Sequence, residues 1–175
     1  MENKTIKGRN ELIPFTRRMP NLKEKQKIRD SKIAKRLVAA WDDRQDKDEV
    51  FNIWLKEHNQ LSDPRYWEML KTVWILCGSV ILAPIFRNFM KSPRGYKSYF
   101  MTPEEKAYFD SLPDELTLYR AHNHADNGIA YTLSLSYAVT YQKMYNKALM
   151  ETRQVKKSEC FAYINRNAES EIIVL

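Results

Sequence analysis

Two hydrophobic rhythms divide the chain near residue 112. Before it, apolar side chains recur every three or four positions, as on a helix face. After it they mostly alternate, as in strands. Residues 1–20 carry Pro14 and Pro20 and read as irregular. Asn21, with Glu24 three positions on, resembles a capping box and predicts a helix start. Leu22, Ile28, Ile33, Leu37, Val38 and Trp41 then make a loose apolar stripe. Residues 42–48 read as a charged turn. In 49–60, Val50, Phe51, Trp54 and Leu55 give a firmer amphipathic pattern. Asp63-Pro64 predicts another helix, with Asp as cap and Pro in the first turn. Trp67, Leu70, Trp74 and Cys77 line its face until Gly78. Pro84 opens a candidate helix carrying Ile85, Phe86, Phe89 and Met90, and residues 92–95 read as a turn.

Thr102-Pro103-Glu104-Glu105 is the clearest helix start: Thr caps, Pro takes the first position, and Glu105 completes the box. Pro113 ends that helix. Strands are predicted over 116–120, 128–133, 159–165 and 170–175, with a helix over 134–149 carrying Tyr137, Ala138, Tyr141, Met144, Tyr145 and Ala148. The expected fold class is α+β, a helical N-terminal half packed on a small C-terminal mixed or antiparallel sheet. The expected division is 1–100 helical and 101–175 an α/β core, or one compact domain overall.

At 175 residues the chain can bury a core without staples. Cys77 and Cys160 have no metal spacing and suit a reducing compartment. The apolar run 73–85 is too short to span a bilayer, and the cluster around Leu12 is too short for a secretory signal, so a cytoplasmic protein without membrane contact is expected. The net charge of +7 is uneven: residues 1–40 hold 12 Lys/Arg against 4 Asp/Glu, and the rest 17 against 18. The plainer reading is a solvated basic helix face. The sharper one is an acidic partner for residues 1–40, nucleic acid or an acidic protein surface.

The candidate chemistry lies in the C-terminal part. Arg120 closes one strand, Tyr131 and Thr132 lie on the next, and Glu169 and Glu171 alternate on the last, which predicts that both carboxylates share a face. An arginine fork suits a diphosphate. A carboxylate facing a sugar that becomes oxocarbenium-like stabilises the transition state of glycosidic cleavage. A second carboxylate can steer the incoming nucleophile. These are the parts needed to cleave the nicotinamide–ribose bond of NAD.

Three blocks carry a family resemblance: Leu118-Tyr119-Arg120-Ala121, then Gly128-Ile129-Ala130-Tyr131-Thr132-Leu133 with Ala138 beyond, then Glu169-Ser170-Glu171-Ile172-Ile173. In order and spacing these last 60 residues resemble the mono-ADP-ribosyltransferase family of the arginine–serine–glutamate type, in particular its small phage and bacterial members. The resemblance implies that family's fold, NAD as the consumed substrate, and a host protein or nucleic acid as acceptor, in the host cytoplasm if phage-encoded. It implies that Arg120, flanked by Tyr119 and Ala121, holds the NAD phosphates. It places Ala130, Tyr131 and Thr132 in the nicotinamide pocket, makes Glu171 the catalytic glutamate, and has Glu169 direct the acceptor. Glu-x-Glu in that family accompanies arginine acceptors, and residues 165–168 fall in its target-recognition turn. Ala130 stands where the family has its first serine and Ala121 where it has a glycine. These departures motivate the alternative: a catalytically silent relative that binds nucleic acid or a host factor through the basic helical half. His122 and His124, near Asp126, also admit a thin reading as a nuclease acid–base pair; no third ligand is spaced for a metal.

Overall fold

The computed structural model describes residues 20–44, 46–79, 81–123, 128–166 and 169–175. The segment 1–19, His124, Asp126, Asn167 and Ala168 lie outside the described residues. Among the described residues the chain forms six α-helices and five strands in an α+β arrangement. No described helix is long and apolar enough to cross a membrane. The chain divides into two compact units, one reaching to Cys77 and including Arg94–Phe100, the other made of Gly78–Pro93 and Met101–Leu175.

The first unit is helical. α1 (Glu24–Arg44) begins three residues past Asn21, because the Lys23 carbonyl takes the first helical bonds, from Gln26 and Lys27. Of its expected stripe Ile33 and Leu37 are buried, while Ile28 is 61% exposed; Ala34 and Ala40 complete the inner face instead. Lys25, Lys27, Arg29, Lys32, Lys35 and Arg36 of α1 are all exposed, so these basic side chains lie on its outer face. α2 (Lys47–Glu57) starts where the charged turn was expected: Asp46 accepts the Glu49 N–H at 2.9 Å and so caps it. Val50, Ile53 and Trp54 are its buried residues, and Leu55 faces outward.

α3 (Asp63–Cys77) is capped one residue earlier than expected, since the Ser62 carbonyl takes the Tyr66 N–H. The buried Asp30 of α1 holds Ser62 through its backbone N–H and its hydroxyl. Asp63 is thereby left to bind the return of the chain, accepting from Gly95 N and Arg94 Nη1. Trp54 and Trp67 are fully buried; Trp54 meets Tyr66 at 5.1 Å and stacks on His58 at 5.3 Å. Truncating either indole to Ala costs about 3–5 kcal/mol.

The second unit holds α4 (Ala83–Met90), α5 (Pro103–Ser111), α6 (Leu135–Met144) and the sheet. α5 has the capping box its sequence announces, with Thr102 Oγ1 accepting Glu105 N and Glu105 Oε2 accepting Thr102 N at 2.7 Å. Glu105 is also buried, and its other oxygen accepts Asn165 N at 3.1 Å, which ties the helix start to the end of β4. The strands β1 (Glu115–His122), β2 (Ala130–Thr132), β3 (Leu149–Lys156), β4 (Cys160–Ile164) and β5 (Glu171–Val174) form one sheet in the order β3-β1-β2-β5-β4, every neighbouring pair antiparallel. β3 was not expected. The helix predicted over 134–149 stops at Met144, because Asn146 turns the chain with φ 48°, and the polar stretch beyond pairs with the whole of β1. Asparagine is among the few residues that enter this left-handed region readily.

Candidate functional site

The residues singled out from sequence lie on three strands that are consecutive in the sheet: Arg120 on β1, Thr132 on β2, Glu171 on β5. Tyr119 pairs with Thr132, Thr132 with Glu171, and Glu171 with Ile164. Directly opposite side chains share a face, so these four form one row across the sheet. Ala130, two residues before Thr132, and Ala121, two after Tyr119, join the same face. Thr132 and Glu171 are buried there, Glu171 with only 1% of its surface exposed.

Arg120 leaves the sheet on the other face. Its neighbours there are Glu151, directly opposite on β3, and Tyr131, whose ring centroid lies 5.6 Å from its guanidinium carbon. Tyr131 is itself 7% exposed, with its hydroxyl directed at the Glu151 carboxylate at 3.4 Å. It therefore backs the arginine. His122 continues this row, with Nε2 4.0 Å from Glu151. Arg120 Nη1 donates to the Gly128 carbonyl at 3.0 Å. The approach is so close that a Cβ on Gly128 would stand 1.9 Å from Arg120 Nη2 and 2.3 Å from its guanidinium carbon. Only glycine at 128 leaves the guanidinium where it is.

Glu169 is not in the strand, contrary to the expected alternation with Glu171. β5 begins at Glu171, and Ser170 adopts φ 47°, which breaks the period of two. The turn is closed by Glu169 N–H donating to the Arg166 carbonyl at 2.8 Å. It is anchored by the Thr132 hydroxyl donating to the Glu169 carbonyl at 2.5 Å. Thr132 Oγ1 also accepts Ser134 N, so one hydroxyl fixes this turn and the entrance to α6. The two carboxylates meet through Arg166 instead of through strand periodicity. Its Nε lies 3.1 Å from Glu169 Oε2 and its Nη2 3.5 Å from Glu171 Oε2.

α6 packs against β1, β2 and β3, burying Ala138, and carries a row of tyrosines that runs on to its C-cap. Tyr137 faces Tyr141 at 6.3 Å, and Tyr141 meets Tyr145 at 4.5 Å. Burial pushes the Tyr137 hydroxyl up to about 12, with the Glu169 carboxylate adding to the rise and Arg166 opposing it. Tyr141 is raised too, by burial, then Tyr145 and Glu169, while Arg120 and Arg166 act against the rise. Arg120 and the Arg166–Glu169 pair thus lie within electrostatic reach of one phenol, although Arg120 and Glu171 start from opposite faces.

The sequence reading named the stretch 165–168 without singling out Arg166, and it missed the Arg120–Gly128 contact. The signals were an arginine in the turn just before two acidic residues, and a lone glycine opening an apolar strand. Both thiols are unpaired, and burial raises each to about 11. In comparisons with family models, curated proteins and solved structures, the chain has no match.

Proposed function

We propose that this protein is an NAD-dependent mono-ADP-ribosyltransferase that modifies an arginine of a host macromolecule in the host cytoplasm, on a fold of that family's type. The observation that carries the reading is the buried Glu171, beside Thr132 in the sheet and 3.5 Å from the Arg166 guanidinium that also meets Glu169. A buried carboxylate is costly unless its charge is used, and here it is matched to a cation of the kind the acceptor supplies.

In this reading the Arg120 fork takes the diphosphate, fixed by its bond to Gly128 and its place over Tyr131. Glu171 faces the ribose carbon as positive charge develops on it. Thr132 holds the turn that carries Glu169, so that Glu169 meets the acceptor nitrogen and takes its proton. NAD supplies the ADP-ribosyl group, and nicotinamide leaves with the electron pair of the broken bond.

A silent relative that acts by binding is the second reading. Two observations favour it: Arg120 and Glu171 leave the sheet from opposite faces, and Ala130 brings no hydroxyl to the row. Incubation of host lysate with labelled NAD separates the two. Transfer by the wild type that falls at least about a hundredfold in Glu171→Gln, an exchange that keeps the side-chain shape, supports the enzyme. No transfer by either protein, with salt-sensitive retention on nucleic acid, supports the binder.

A further inference from the structure

We infer that the free edge of β3 binds a second copy of this chain, joining two five-stranded sheets into one across a two-fold axis at Thr152. The inference is independent of the transferase reading. Sheet edges expose unpaired N–H and C=O groups, and proteins blunt them with a bulge, a proline, a lysine or a short strand. The β4 edge follows that rule. It is five residues long, its register with β5 shifts between Cys160 and Ala162, and Tyr163 N–H donates to Met101 Sδ at 3.4 Å. β3 does not. It runs for eight residues, pairs with β1 without a shift, and holds no proline, glycine or lysine from Leu149 to Val155. Among the described residues β1 is its only strand neighbour.

One bond shows which backbone groups point outward. Lys157 N–H donates to the Asp114 carbonyl at 2.7 Å, directly opposite in the β1–β3 register, which makes these two a hydrogen-bonded pair. Such pairs alternate along an antiparallel ladder, so Leu149, Glu151, Arg153 and Val155 bond inward to β1. Met150, Thr152 and Gln154 therefore turn their N–H and C=O groups to the free edge. A two-fold axis at Thr152 sets Thr152 against its own copy and Met150 against the partner's Gln154. Each of these outward groups then has a partner.

The side chains select the same register. It puts Glu151 opposite the partner's Arg153, twice by symmetry, at non-hydrogen-bonded positions where side chains lie closest. It also puts Leu149, 40% exposed, opposite the partner's Val155. A slip of two residues one way would set Glu151 against Glu151, and the other way Arg153 against Arg153. A slip of one residue would set outward groups against inward ones and lose the ladder. Thr152, Arg153 and Gln154 are all exposed, and Glu151 is half-buried. The edge is thus complementary to itself, as an isologous contact requires.

The test measures the mass of the full-length chain by light scattering across a dilution series, with amide hydrogen exchange on the same samples. We expect a dimer of about twice 20.8 kDa that dilution dissociates, with the Thr152 amide protected only in the dimer. Thr152→Pro removes an outward N–H that β1 does not use, so the sheet should tolerate it while the dimer is lost. Arg153→Glu and Glu151→Arg should each weaken the dimer at least about tenfold, since each sets like charges opposite one another at two symmetric positions. Mixed together, these two variants regain opposite charges at both positions and should form a heterodimer, a rescue that a misfolded chain cannot give. A wild type that is monomeric at every concentration leaves the edge to another partner and overturns the inference. So does a dimer that survives both Thr152→Pro and Arg153→Glu.

Discussion

Gly128→Ala isolates the link between one backbone position and the arginine it accommodates. The Gly128 backbone lies outside the left-handed region, so alanine is tolerated by the chain itself. What it meets is the guanidinium. Ordinary contact begins near 3.4 Å, and the new methyl would sit 1.9 Å from Nη2, so the head group must retreat by roughly 1.5 Å. The retreat breaks the 3.0 Å bond to the Gly128 carbonyl and the contact with Tyr131. A hydrogen bond from a charged group contributes about 1.5–3 kcal/mol and an exposed cation–π contact about 0.5–1. Against this, alanine stabilises by about 0.4–1 kcal/mol through the unfolded chain. A net loss of about 1–3.5 kcal/mol should appear as a fall in Tm of roughly 2–14 °C. In the transferase reading, misplacement on this scale should also reduce turnover of NAD by about a hundredfold. The decisive assay is a double-mutant cycle with Arg120→Ala. Once the arginine is truncated, Gly128→Ala should be neutral or stabilising. If it costs the same in both backgrounds, glycine is needed for some reason other than the guanidinium, and the reasoning fails.

Further expectations follow from other contacts. Glu105→Ala strips acceptors from two backbone N–H groups, of Thr102 and Asn165, and should cost about 2–4 kcal/mol in urea unfolding, against about 1 for Thr102→Ala; equal losses would refute the bridging role. His58 is held below its usual 6.5 first by burial and then by Arg94, so between that lowered value and 6.5 the unfolded chain binds more protons than the folded one. Stability should therefore climb with pH across that window and level off above 6.5, and His58→Gln should remove that component from the urea midpoint; an unchanged profile would count against the assignment.

How much of this was legible in the sequence depends on how local each cause is. The Thr102–Glu105 box was readable because cap, proline and glutamate all act within one turn, and the structure has each in its expected role. Asp63-Pro64 announced α3 but misplaced its cap, since only the distant Asp30 selects Ser62. β3 gave no apolar alternation: among Leu149–Lys156 only Val155 is buried, and pairing with β1 is what makes it a strand. The three strands bearing Arg120, Thr132 and Glu171 were found close to their expected positions, yet sequence could not give their order in the sheet or the faces of their side chains. Glu169 was misread for a specific reason. The residue that breaks the alternation is Ser170, and serine does not advertise a positive φ as glycine or asparagine does.

That reversal at Ser170 separates two duties along four residues of chain. In an unbroken strand, adding or removing one residue ahead of Glu171 would invert every side chain before it. Here the kink absorbs the phase. Arg166 and Glu169 can be exchanged while the glutamate behind them keeps its place in the strand. In the transferase reading, acceptor preference can thus vary with the residues at Arg166 and Glu169 while Glu171 stays in place at the strand's start.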